Sequence, residues 1–154
     1  MRVVASLYLP SVEQMMKDCG LNEGGEVQQT IDQFVLTQSE PYIPMDDARE
    51  LILSGTNATK IGSGEVIWDT PYANYIYEGK LMVDPITLKG AFYSPDYGFW
   101  SRPNTPKIMD PSGRDLIYHG GDNRRDHWFD RMMIDKKEEL IEECKKVINR
   151  RLGQ

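Results

Sequence analysis

Apolar positions recur at helical spacing towards both ends of the chain and at shorter, interrupted spacing in its middle. Near the N-terminus Val12, Met15, Met16 and Cys19 form one stripe, the three-and-four spacing of an amphipathic helix. Ser11 and Gln14 frame its start as a capping box, and Gly20 ends it. A second helix over roughly 24–39 carries Val27, Ile31, Phe34 and Val35. Pro41 and Pro44 then force an extended linker, and 46–54 predicts a helical turn with Leu51 and Ile52. A last helix is predicted from Asp122 or Asn123 to about Arg151. Its first apolar patch is Trp128, Phe129, Met132 and Met133, and its second is Leu140, Ile141, Cys144, Val147 and Ile148.

The middle of the chain predicts strands. Residues 57–61 and 65–69 read as a hairpin closed by Gly62-Ser63-Gly64, with Val66 and Trp68 on one face and Glu65 and Ile67 on the other. Thr70 and Pro71 are an N-cap and a first helical residue, and Gly79 a terminator, for a two-turn helix bearing Tyr72, Ala73, Tyr75, Ile76 and Tyr77. A helix that short does not hold itself together in water. It must be packed on both sides, by the sheet and either by its own core or by a neighbouring chain. Leu81–Val83, Ala91–Tyr93 and Leu116–Tyr118 are strand-like. From Ser94 to Asn104 the chain is rich in turn formers yet carries Tyr97, Phe99 and Trp100, an apolar surface that needs a cover. The expected class is α+β: a small antiparallel sheet flanked by N-terminal helices and one long C-terminal helix.

Composition narrows the class further. The 154 residues fit one domain over 1–154, with 1–10 as an N-terminal arm or strand, 80–121 as an extended hairpin and loop region, and 122–151 as the C-terminal helix. Mean hydropathy is -0.53, and no apolar run is long enough to span a bilayer. The first nine residues lack the apolar core and cleavage site of a secretory signal. Cys19 and Cys144 sit on apolar helix faces and read as small hydrophobes rather than a disulfide. The net charge of -6 argues against tight nucleic-acid binding, which calls for a basic surface. It suits a channel wall along which DNA slides without sticking.

Catalytic signatures are sparse. His119, Asp122, Asp126 and His127 are metal-ligand types within a short span, and they define one alternative, a small metal-dependent hydrolase. Asp122 as a helix cap and Asp126 in the first turn, complementing the helix dipole, explain the same residues more simply. No nucleophile elbow, zinc-protease, phosphate-loop or dinucleotide motif is present, so no cofactor is expected. A host-side binding module is the other alternative.

Several weak motifs in a fixed order carry a resemblance. Cys19-Gly20-Leu21 leads into Gly24-Gly25-Glu26-Val27-Gln28, then Pro41-Tyr42-Ile43-Pro44, Leu51 with Ser54-Gly55, the glycine turn with Thr70-Pro71-Tyr72-Ala73 and Gly79-Lys80, and late in the chain Trp128. In this order the chain resembles the minor capsid proteins of tailed phages and prophages of Gram-positive bacteria, which are similar to head-to-tail joining and tail-completion proteins. Asn74, where that family favours arginine, and Met45-Asp46-Asp47-Ala48-Arg49, where it favours a threonine-glycine turn, are departures. The resemblance implies a virion structural protein of the neck, made in the host cytoplasm. It implies a homo-oligomeric ring, six-fold favoured over twelve-fold, that joins the portal side to the tail and leaves a channel for genomic DNA. Its partners would be copies of itself and the neighbouring connector, portal-side and tail proteins, with no membrane and no catalysis. The expected contact residues are Tyr72, Tyr75, Tyr77, Phe99, Trp100 and Trp128.

Overall fold

The structure, a computed structural model, describes residues 10–45 and 49–153. The arm expected over 1–10 falls outside these, save for Pro10, as do Asp46, Asp47 and Ala48 of the predicted turn. The fold is α+β, with five helices among the described residues, antiparallel strand pairs and a long C-terminal helix.

The first two helices form where the pattern places them. In α1 (Val12–Cys19) the Ser11 hydroxyl accepts from the Gln14 backbone N–H at 3.1 Å. The Gln14 side chain turns instead to Asp18, at 2.7 Å, so only half of the capping box forms. Gly20, at φ 78°, ends the helix. Among the described residues most of the α1 stripe lies open: Val12 is 69% exposed, Met15 and Met16 are exposed as well, and Cys19 is half-buried. By contrast α2 (Glu26–Ser39) buries Val27, Phe34 and Val35. It packs along α5 (Trp128–Leu152), which supplies Met132 and Leu140. A second cluster joins Ile43, Ala73 and Trp128 to Leu51 and Ile52 of α3 (Glu50–Ala58). Trp68 and Tyr42 pack against both clusters.

Residues 57–69 do not form the expected hairpin. Asn57 and Ala58 belong to α3, and 59–69 is irregular. The alternation survives without a ladder: Val66 and Trp68 are half-buried, Glu65 and Ile67 exposed. A carboxylate replaces the missing strand pairing. Asp32, buried in α2, accepts the Gly62 N–H at 2.7 Å and the Gly64 N–H at 3.1 Å on one oxygen, and the Gln28 amide at 2.8 Å on the other. Both glycines have positive φ, 93° and 84°, a conformation that costs glycine little and lets their N–H groups converge on the carboxylate. Trp68 is seated by Gly55, where a Cβ would stand 2.5 Å from the indole Nε1.

The aromatic helix is shorter than predicted. α4 (Ala73–Tyr77) begins after Tyr72, and no side chain caps it. The Thr70 hydroxyl is buried and finds no partner among the described residues, so Thr70 contributes only its carbonyl, which accepts the Ala73 N–H at 3.0 Å. Gly79, at φ 70°, ends the turn as expected. The final helix likewise starts at Trp128 rather than at Asp122 or Asn123. Its preceding N–H groups are committed elsewhere, Arg125 to the Tyr42 carbonyl at 3.1 Å and His127 to the Tyr77 carbonyl at 2.9 Å. A helical ladder cannot include donors already spent on distant acceptors.

The sheet is divided into two ribbons. β1 (Met82–Val83) pairs with β4 (Ile108–Met109), and β2 (Phe92–Ser94) with β3 (Gly98–Trp100), both antiparallel. The strand expected at 116–118 is reduced to one bridge, Lys80 with Asp115, and a hydrogen bond from the Leu116 N–H to the Gly79 carbonyl at 3.0 Å.

Candidate subunit interface

The β2–β3 ribbon is a hairpin whose turn is Pro95-Asp96-Tyr97, closed by Gly98 at φ 69°. The left-handed glycine that follows the three-residue loop opens β3, a conformation glycine adopts without steric cost. Phe92 and Trp100 are cross-strand partners stacked at 4.7 Å with planes 28° apart, and the Arg102 guanidinium sits 5.9 Å from the Phe92 ring centre. The opposite face holds Tyr93 paired with Phe99. For Phe99 the structure describes only the backbone. Tyr97 is 85% exposed and Trp100 44%.

Two buried carboxylates anchor the root of this hairpin. Asp84 accepts the N–H groups of Ile86 and Thr87, each at 2.9 Å, the Thr87 hydroxyl at 3.2 Å and the Arg102 Nε at 3.2 Å. These donors, the Thr87 N–H foremost, hold its carboxyl below the usual carboxylate range. Asp110 is held lower still, first by Arg114 and then by Ser112. Arg114 also reaches the Leu88 carbonyl at 3.2 Å, and the Lys107 ammonium donates to the Gly90 carbonyl. The hairpin is thus braced by charge-assisted bonds at its root, not by a core of its own.

The six expected contact residues separate. Trp128 is 2% exposed, in edge-to-face contact with Trp68 at 5.9 Å and Tyr77 at 4.7 Å. It belongs to the core, which corrects its place among the contact candidates. Tyr77 is half-buried and donates to Asp130 at 2.8 Å. Burial, then that carboxylate, push its phenol up to about 12. Tyr72 is half-buried and donates to Glu50 at 3.1 Å. Tyr75, 42% exposed, and Trp100 remain at the surface. Tyr97, at the apex of the hairpin turn, is more exposed than any of these. Its place between Asp96 and Gly98 was the available signal, since a turn apex points its side chain away from both strands.

Beside the root lies a cleft of about 500 Å³ between α4 and the returning chain, walled by Pro71, Tyr75, Ile76, Leu81, Pro106 and Leu116. It adjoins a smaller apolar recess of about 180 Å³ that shares Tyr72, Ile76 and Leu116 with it.

The residues of the hydrolase alternative are not gathered. Among the described residues no three His, Cys, Asp or Glu side chains are placed to hold a metal ion. His119 is exposed, while His127 faces Tyr77 at 5.0 Å and Asp130 at 3.6 Å. The two cysteines are free and half-buried. Among the described residues no helix is long and apolar enough to cross a membrane. No protein-family model, curated protein or solved structure matches the chain.

Proposed function

We propose that this chain is a structural component of a phage virion at the head–tail junction, assembling as a ring that joins the portal side to the tail around a channel for DNA. The observation that carries the reading is the aromatic hairpin, tied at its root by Arg102 to the buried Asp84 carboxylate and carrying Tyr97 and Trp100 into solvent. Side chains of this kind concentrate binding energy at protein interfaces. The motif order of the sequence supplies the specific place in the virion. The net charge of -6 suits a wall that lets DNA pass.

Magnitude sets the mode of assembly. The exposed parts of Tyr75, Tyr97 and Trp100 amount to roughly 350 Å². A stable interface takes about 800 Å² from each partner, so this contact is a fraction of what a ring needs. The exposed stripe of α1 offers more area, and the ring completes itself on a neighbouring connector protein. The test is to purify particles and analyse their protein content, with antibody labelling viewed by electron microscopy. The chain is expected in stoichiometric amounts at the neck. Its absence from particles would overturn the reading.

A further inference from the structure

We propose that the hairpin tip of one copy docks in the root cleft of the next, so that every chain gives one contact and receives another. The inference rests on the assembly reading above and assigns its contact surface.

Shape is the first support. The cleft is open, apolar and about 500 Å³ in volume, a size suited to aromatic side chains. Tyr97 stands at the end of a narrow ribbon, 85% exposed, as the matching knob. Charge is the second. Among the described residues the charged ones lining the cleft are Lys80 and Lys107, and the only charge in the hairpin turn is Asp96. Among the described residues Lys80 has one long ion pair, 3.9 Å to the exposed Asp115, which leaves ammonium donors for an incoming carboxylate.

Connectivity names the occupant. Gly90, just before β2, and Pro106 with Lys107, after β3, all line the cleft. Each strand of the hairpin has three residues, which sets the tip about 10 Å from its own root. A chain cannot fill its own cleft without undoing its own ribbon, so the tip that fits comes from a second copy. The two surfaces differ, so the contact is heterologous, the kind that closes into rings when the rotation per copy allows.

The test places the photo-reactive residue p-benzoylphenylalanine at position 97, where the side chain touches little of its own domain. Purified protein at high concentration and purified particles are irradiated, and the cross-linked peptides are sequenced. A cross-link from position 97 to the cleft wall of another copy, within residues 71–82 or at 90, 106, 107 or 116, is expected. Asp96→Lys and Lys80→Glu should each reduce that cross-link at least tenfold, and the double variant should recover most of it, with circular dichroism unchanged throughout. No cross-link in either sample, cross-links to other segments, or single variants that cross-link like the parent would overturn the docking. A tip-to-cleft cross-link in solution with the chain absent from particles would sustain the docking and reject the neck assignment. The chain in particles, cross-linked elsewhere, would do the reverse.

Discussion

Asp32 shows how one side chain can stand in for an element. Both its oxygens are engaged, and the two glycine N–H groups it accepts lie 30 and 32 positions away. Gly62 is buried and Gly64 exposed, so removing the carboxylate strands one donor completely and leaves the other to water. Asp32→Ala is expected to cost about 2 kcal/mol, read as a lower urea midpoint at unchanged slope. Tyr77 gives a second residue-level test, with its sign fixed by linkage. Its phenol is raised from 10.0 to about 12 in the fold, so the fold favours the neutral form. That contribution is fully present below pH 10 and is lost as pH rises towards 12. Tyr118, half-buried and donating to the Ile76 carbonyl at 2.6 Å, is raised to about 12 as well, chiefly by burial. Absorbance at 295 nm should show Tyr77 and Tyr118 ionising well after the exposed tyrosines, with Tyr42 delayed as well by burial and its bond to Asp135. Tyr77→Phe should remove one of them and flatten the alkaline loss of stability.

At the scale of elements, the hairpin depends on its root. Arg102 connects Asp84 to the aromatic stack. Arg102→Ala should raise amide exchange across 92–100 at least tenfold while α2 and α5 keep their protection. Asp84 and Asp110 both have carboxyls held below the ordinary value of 3.8. Their support is therefore present above that value and is lost as acid carries the pH down through the lower folded values. The same exchange measurement in a pH series should show the hairpin loosening on the acid side only. What was legible in the sequence follows the range of the forces involved. α1 and α2 were read from local signals, a cap, a stripe and a terminating glycine. The false hairpin at 57–69 shares its alternation and glycine turn with a true one, and its actual partner, Asp32, is remote in sequence. The start of α5 was misplaced for a similar reason: the acceptors on Tyr42 and Tyr77 that consume its early donors are visible only after folding. The apolar stripe of α1 was legible as a pattern, yet the pattern does not say that the stripe stays exposed.

The molecule as a whole has a packed half and a presenting half. The packed half is α2 against α5, closed by Trp128, Trp68 and the Ile43 cluster. Arg151 ties α1 to its far end, donating to the Asp18 carbonyl at 3.1 Å and to Glu26 at 3.1 Å. The presenting half is the ribbon pair, where aromatic side chains outnumber the buried residues that would normally hold them in. Of the contact candidates, Trp100 lies on this ribbon and Tyr75 on the cleft beside it, while Trp128 is buried; a tryptophan at the start of a helix reads the same in sequence whether it faces the core or a neighbour. The central claim is that copies of this chain cover each other's exposed aromatics in the assembled particle. Hydroxyl-radical footprinting of Tyr97 and Trp100, on the isolated chain and on purified particles, measures that cover directly. Both side chains should be modified rapidly in the isolated chain and protected at least tenfold in the particle; equal modification in the two samples would mean that no copy covers them.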